Sequence, residues 1–390
     1  MEASKLRLLE SEVPPHEAPE IWGTVMTENP RIEVDEKKII RVAWKSVGFL
    51  GFHLVPEGSP GPSAADVDRA ITGLRIAEFP DMPLRAVDVV NGVAIFTGPF
   101  LGSTHQPVDM AHQIAELIAP LGFEGSITAC ADTLGRRPRK RESFCAVMCS
   151  SAAAMNNTSP PLFEMPLKKN WDRWDTSSPE FTALVHNVSA WVTAHSPKKV
   201  VAGQPLSQAQ CAPHQVARIL SAVCRDTGFA DVKFATNAGD RYAMFNMEGW
   251  LIVGTEIKSE DDTGEEVVRI LSEWAPLYDF GFISRVLFGL PSTANQMAQG
   301  LFERPRDGDL SKDHEEFTKR TLPGIFPLQV LGPEHPDLQP ADRWEVAPLA
   351  AGRRLVTLDQ HQKWLKDRHY PEAELRALRE ANAPLLGKWS

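Results

Sequence analysis

The sequence predicts an α+β protein built from two βαββαβ units in tandem, each an antiparallel sheet with helices on one face. Three observations carry that expectation. Apolar periodicity runs strand, helix, strand, strand, helix, strand between about residues 39 and 151. The same order returns between about 178 and 290, and one stretch of the first set can be laid over a stretch of the second.

The elements follow in order. Residues 1–38 carry Pro14, Pro15, Pro19 and Pro30, a lone Trp22 and many charges, which reads as an N-terminal arm. From Lys38, the run KKIIRVAWKSVGFLGFHLV is β-branched and aromatic with Gly48 and Gly51, which predicts one long or bulged strand. Ser63, with Asp66 three residues on, caps a helix that gives way to the strand PLRAVDVV. Asn91-Gly92 is the strongest hairpin signal, joining that strand to VAIFTGPF. A helix over about 107–121 follows, with Met110, Ile114, Leu117, Ile118 and Leu121 at helical spacing. The strands GSITACAD and SFCAVMCS, expected to pair across a basic loop, close the first unit. The order is the split βαβ pattern of ferredoxin-like modules, with one extra strand.

Residues 152–177 read as a linker, rich in Pro and Asn. A helix capped by Ser178 with Pro179 at its first position runs to about His195. The second ferredoxin-like unit then comprises KVVAGQPL, the helix PHQVARILSAVCRD, DVKFATNA, RYAMFNM, WLIVGTEI, the helix EEVVRILSEWAPLYD and FGFISRVLFG. Both units end their second helix in Ala-Pro-Leu, consistent with an internal duplication. Residues 291–390 form a C-terminal extension with a strand-like RRLVTL and two polar helices, too poor in periodic apolar surface for a core of its own. The predicted domains are thus 1–38, 39–151, 152–177, 178–290 and 291–390.

Composition narrows function. With 41 basic and 51 acidic residues among 390, the net charge is 41 − 51 = −10. That balance disfavours sequence-blind binding to nucleic acid or anionic lipid, which needs a broadly basic face. No apolar run approaches the roughly 18 residues of a membrane span. The first residues lack the apolar core of a secretion signal. Five cysteines in a chain this long suit a reducing compartment, so a cytoplasmic location is expected.

Candidate sites are few. Arg136, Arg137, Arg139, Lys140 and Arg141 concentrate five cations within six residues, suited to phosphates or an acidic surface. The dull alternative is a solvated loop; only Phe144 is close enough to serve as a stacking platform for RNA. Gly48-Phe49-Leu50-Gly51-Phe52 and Gly281-Phe282 approach an RNA-binding strand signature without completing it, and read better as bulges or close packing. If the strands flanking the basic loop pair symmetrically, Cys130 faces Cys145, with Cys149 about 13 Å farther along, a set better suited to a core than to a metal. Cys211 and His214 stand at C-x-x-H spacing before a helix, where the dipole lowers a thiol pKa. His105, Asp109 and His112 are a weaker metal candidate, their helix face reading as solvated. Glu260, Asp261, Asp262, Glu265 and Glu266 resemble a cation cluster, but Thr263 and Glu266 fit a capping box. Phosphate loops and hydrolase elbows are missing.

The expected function is therefore non-catalytic protein interaction, as an assembly subunit or scaffold, or as an acidic inhibitor or immunity-type binder of a basic partner. Trp171, Trp174, Trp344 and Trp364, with Trp22 and Trp389, lie in the extensions and are candidate contact residues, with core filling the alternative. No cofactor or metal is expected. The runners-up are an enzyme using Cys211 and His214 or a metal, and polyanion binding through residues 136–141.

Overall fold

The computed structural model describes residues 32–386 apart from 45–48, 59, 77–78, 100–104, 132–141, 156–172, 205–206, 247–248, 260–261, 288–319, 323 and 367–371. Among these, helices and strands are mixed, and the strands gather into a five-stranded and a ten-stranded sheet with two small ribbons. No described helix is long and apolar enough to cross a membrane.

The first sheet begins with β1 (Ile32–Val34), followed by α1 (Glu36–Ala43), β2 (Phe49–Pro56) and α2 (Ala64–Ala70). The ribbon β3 (Arg75–Ile76) and β4 (Phe79–Pro83) comes next, then β5 (Arg85–Val89), β6 (Gly92–Pro99), α3 (Gln106–Ile118) and β7 (Gly125–Ala129). The strand order is β1-β7-β2-β6-β5, antiparallel except for β1 beside β7. Each crossover helix therefore bridges two strands with a third between them: β2-α2-β5 spans β6, and β6-α3-β7 spans β2. Asn91 (φ 60°) and Gly92 (φ 130°) make the tight turn from β5 to β6. A side chain on Gly92 would meet the Leu54 carbonyl at 1.9 Å, so only glycine fits.

The second sheet draws on β8 (Glu142–Cys149), α4 (Pro179–Ala194), β11 (Lys199–Gln204), β12 (Ser207–Cys211), α5 (Val216–Thr227), β13 (Ala230–Thr236), β14 (Gly239–Phe245), β15 (Trp250–Glu256), α6 (Glu265–Glu273) and β16 (Phe280–Leu287). The ribbon β9 (Ala154–Met155) and β10 (Arg173–Trp174) lies between β8 and α4 in the chain. The last strands are β17 (Leu328–Leu331), β18 (Trp344–Pro348) and β19 (Arg354–Leu358), followed by α7 (His361–Lys366) and α8 (Glu372–Ala381). The order is β12-β11-β13-β14-β15-β8-β16-β17-β19-β18. Here too the crossovers are split, β12-α5-β13 around β11 and β15-α6-β16 around β8.

Apolar faces stack these layers. Ile39, Val42, Val67, Ile114 and Ile118 of the first three helices cover one face of the first sheet. On its other face, Val87, Ala94 and Phe96 share a core with α4, α5, α6 and the near face of the second sheet. Cys145, Val147, Tyr242, Ile252 and Phe282 form the far face, packed with Leu322, Phe326, Trp364 and Leu378.

Several expectations change. The run from Lys38 does not open as a strand: α1 forms there because Asp35 accepts from the Lys38 N–H at 3.0 Å, and Ile39 and Val42, three apart, bury one helical face. β2 does carry the expected irregularity, a register shift between Phe49 and Gly51. Leu117 and Leu121 are 38% and 41% exposed, off the buried stripe of α3. Ser207–Cys211, expected as loop, is β12, hairpinned to β11.

The largest change concerns SFCAVMCS. β8 leaves the first sheet and inserts between β15 and β16. The hairpin with β7 does not form, so Cys130, just past β7, does not face Cys145 on β8, and the two lie in different cores. The overlaid segments do fold alike, as split crossovers whose Ala-Pro-Leu forms a 3-10 turn at Ala119–Leu121 and at Ala275–Leu277. The tandem ferredoxin-like pair is not confirmed, because the second set shares its sheet with β8 and with β17–β19 from the tail.

Candidate functional site

Residues 132–141, and with them Arg136, Arg137, Arg139, Lys140 and Arg141, lie outside the described residues, as do Trp22, Trp171 and Trp389. Their flanks are informative: Ala131 follows β7 in the first sheet and Glu142 opens β8 in the second, so the basic loop joins the two sheets. The other named tryptophans are interior. Trp174 is buried against Phe181 and Phe245, with ring centroids 5.7 and 5.1 Å away, and its indole N–H donates to the Asn246 carbonyl at 2.9 Å. Trp344 and Trp364 belong to the far-face core. These three fill the core.

Cys211 ends β12, buried, while His214 is exposed in the turn beyond it. Burial pushes the Cys211 thiol up to about 12, opposite to activation. Burial likewise lifts Cys130 to about 12 and Cys145 to about 11. All five cysteines are buried and none is in a disulfide. His112 Nε2 lies 3.0 Å from Glu36 Oε1 on α1, an exposed pair. Among the described residues no three His, Cys, Asp or Glu side chains gather as a metal site would need.

Of the acidic run, Glu260 and Asp261 lie outside the described residues, and the expected capping box of Thr263 and Glu266 does not form. Gly264, in the left-handed region, caps α6. Glu266 turns instead to Arg241, whose Nε reaches both carboxylate oxygens at 3.0 and 3.1 Å and whose Nη2 reaches Oε2 at 2.6 Å. The Trp191 indole N–H donates to Oε1 at 2.8 Å, and His195 Nε2 is 2.9 Å from the same atom. Burial raises the Glu266 carboxyl, but hydrogen bonds from Arg241 and Trp191 and the charge of Arg241 outweigh it and hold it below its usual value. A carboxylate so engaged is a pin between α4, β14 and α6.

On the far face, one cross-strand row runs Lys233, Tyr242, Gly254, Cys145, Ser284 over β13, β14, β15, β8 and β16. Tyr242 Oη lies 2.9 Å from Cys145 Sγ and 3.4 Å from Ser143 Oγ. It fits because residue 254 is glycine; a Cβ there would meet Tyr242 Cε1 at 2.3 Å. Burial holds both the phenol and the thiol protonated at neutral pH. Beside them Lys233 Nζ and Asp231 Oδ2 form a buried pair at 3.6 Å. Periodicity showed these strands but not the row, because register is set by pairings far apart in sequence.

The outward-facing feature is the last strand. Among the described residues β18 is the edge of the ten-stranded sheet and pairs only with β19, and of its five residues only Trp344 is buried. Val346 is 55% exposed. Asp359 N–H donates to the Arg343 carbonyl and Leu349 N–H to the Arg353 carbonyl, in the same register as the β18–β19 ladder. Antiparallel ladders alternate, so Glu345 and Ala347 direct their backbone groups to β19, and Trp344, Val346 and Pro348 direct theirs to the open side. Glu345, also exposed, stands on the opposite sheet face from Val346. No family model matches this chain, and no curated protein or solved structure is significantly similar to it.

Proposed function

We propose that the protein is a non-catalytic interaction protein, a subunit or scaffold of an assembly or an acidic cover for a basic partner. The observation that carries this reading is the exposed edge strand β18, which keeps an open backbone edge and an exposed valine on an acidic chain. Two groups of interest for chemistry support it too: burial holds the thiols of Cys130, Cys145, Cys211 and Cys224 protonated, and the Glu266 carboxylate is engaged by Arg241, Trp191 and His195. We also infer that the first sheet is a ferredoxin-like module. Its strands β2, β5, β6 and β7 lie in the order fourth, first, third, second, the arrangement that two split crossovers produce.

The test is a photo-crosslinking residue at position 346 in the full chain, expressed in its own cells, with position 121, exposed in the 3-10 turn after α3, as the control. A discrete adduct from 346 and none from 121 is expected. Equal, diffuse or absent adducts at both positions would remove the reading.

A further inference from the structure

We infer that β18 receives an extended strand from a different protein, one alternating apolar and basic residues, and that it is built to reject a second copy of itself. The inference rests on the interaction reading and names its partner's chemistry.

The backbone decides the first half. Toward the open side, β18 offers three acceptors, the carbonyls of Trp344, Val346 and Pro348. Among the described residues it offers one donor without a partner, the Val346 N–H, because Pro348 has none and the Trp344 N–H donates to the Ala341 carbonyl. An incoming antiparallel strand centred on Val346 can therefore donate three amides and accept one. Two copies of β18 paired about Val346 would set Trp344 opposite Pro348, where neither strand supplies a free N–H. Only the two Val346 bonds would remain. A proline on the open side of an edge strand is a known guard against self-pairing.

Side chains set the second half. Val346 pairs across the ladder with Val356, a member of the far-face core, so an apolar residue beside Val346 would extend that core by one strand. On the other sheet face stands Glu345, exposed, with no partner among the described residues. A cation on the incoming strand, one residue from the apolar one, would lie beside it. Cross-strand pairs of opposite charge are favourable, and the chain's net charge of −10 steers basic segments toward it.

The probe is a fluorescent heptapeptide of alternating Lys and Val, titrated against the full chain by anisotropy. Saturable binding is expected. It should weaken about ten-fold when alternate peptide amides are N-methylated, and again with Glu345→Lys or Val346→Pro, whereas Val346→Thr keeps the donor and retains binding. Because the Val346 N–H faces away from β19, proline there removes no ladder bond, and circular dichroism checks each variant's fold. No binding, or equal binding of the N-methylated peptide, would overturn strand addition. Sedimentation as a dimer that Val346→Pro dissolves would overturn the choice of a different protein. If a discrete crosslink from position 346 persists while the peptide arms fail, the interaction reading stands and strand addition falls.

Discussion

Glu266 shows how one residue's role escapes local rules. Its place in the first turn of α6 fits a helix-dipole or capping role, and the neighbouring acids invite a cation. Arg241, 25 positions earlier, takes the carboxylate bidentately, with Arg241 7% exposed. Removing the charge leaves a largely buried guanidinium short of its partner, so Glu266→Gln should cost about 2 kcal/mol in urea unfolding at neutral pH. The folded-state pKa is lowered, so this stability is present above the unfolded-state value and is lost as pH falls through the folded-state value. The gap between wild type and Glu266→Gln should therefore be full at neutral pH and close only as pH falls below the ordinary carboxylate range, through the lowered folded-state value. A constant gap would show that the carboxylate is not what the pair depends on.

At the scale of elements, caps and turns were legible and pairings were not. Ser178 before Pro179 predicts the start of α4, and its hydroxyl accepts from the Phe181 N–H at 3.0 Å. Ser178→Ala should lower stability by about 1 kcal/mol, measured as a shift in the urea midpoint, and Ser178→Asp should restore most of it. The Asn91-Gly92 turn was equally local and equally readable, whereas Ala-Pro-Leu, read as the last residues of each helix, forms a 3-10 turn beyond it. By contrast, the β-branched run at Ile39–Val42 favoured a strand on propensity and became helix through its cap and its buried face. The Ser207–Cys211 stretch SQAQC lacked apolar alternation because β12 meets the first sheet through polar groups. Ser207 Oγ accepts from the Gly51 N–H at 2.7 Å and donates to the Cys130 carbonyl at 3.3 Å.

Those bonds matter for the whole molecule, since they tie β12 to β2 and β7 and make the two sheets share a core. Ser207→Ala should remove about 1 to 2 kcal/mol, and hydrogen exchange should report it in both sheets at once, at Phe52 and Leu54 as at Val232 and Phe234. Loss of protection confined to the first sheet would mean that the sheets open independently. The sequence by itself determined the alternation of strands and helices, the α+β class, the helix starts at Ser63 and Ser178 and the acidic charge, because each follows from composition or from residues close together in the chain. Tertiary structure alone decided that β8 crosses to the second sheet, that β17–β19 extend it, that Trp174, Trp344 and Trp364 are interior, and that β18 is left as an edge. Those outcomes depend on which strands meet across long sequence separations, and a run such as SFCAVMCS, apolar on both faces, fits the middle of either sheet until packing chooses.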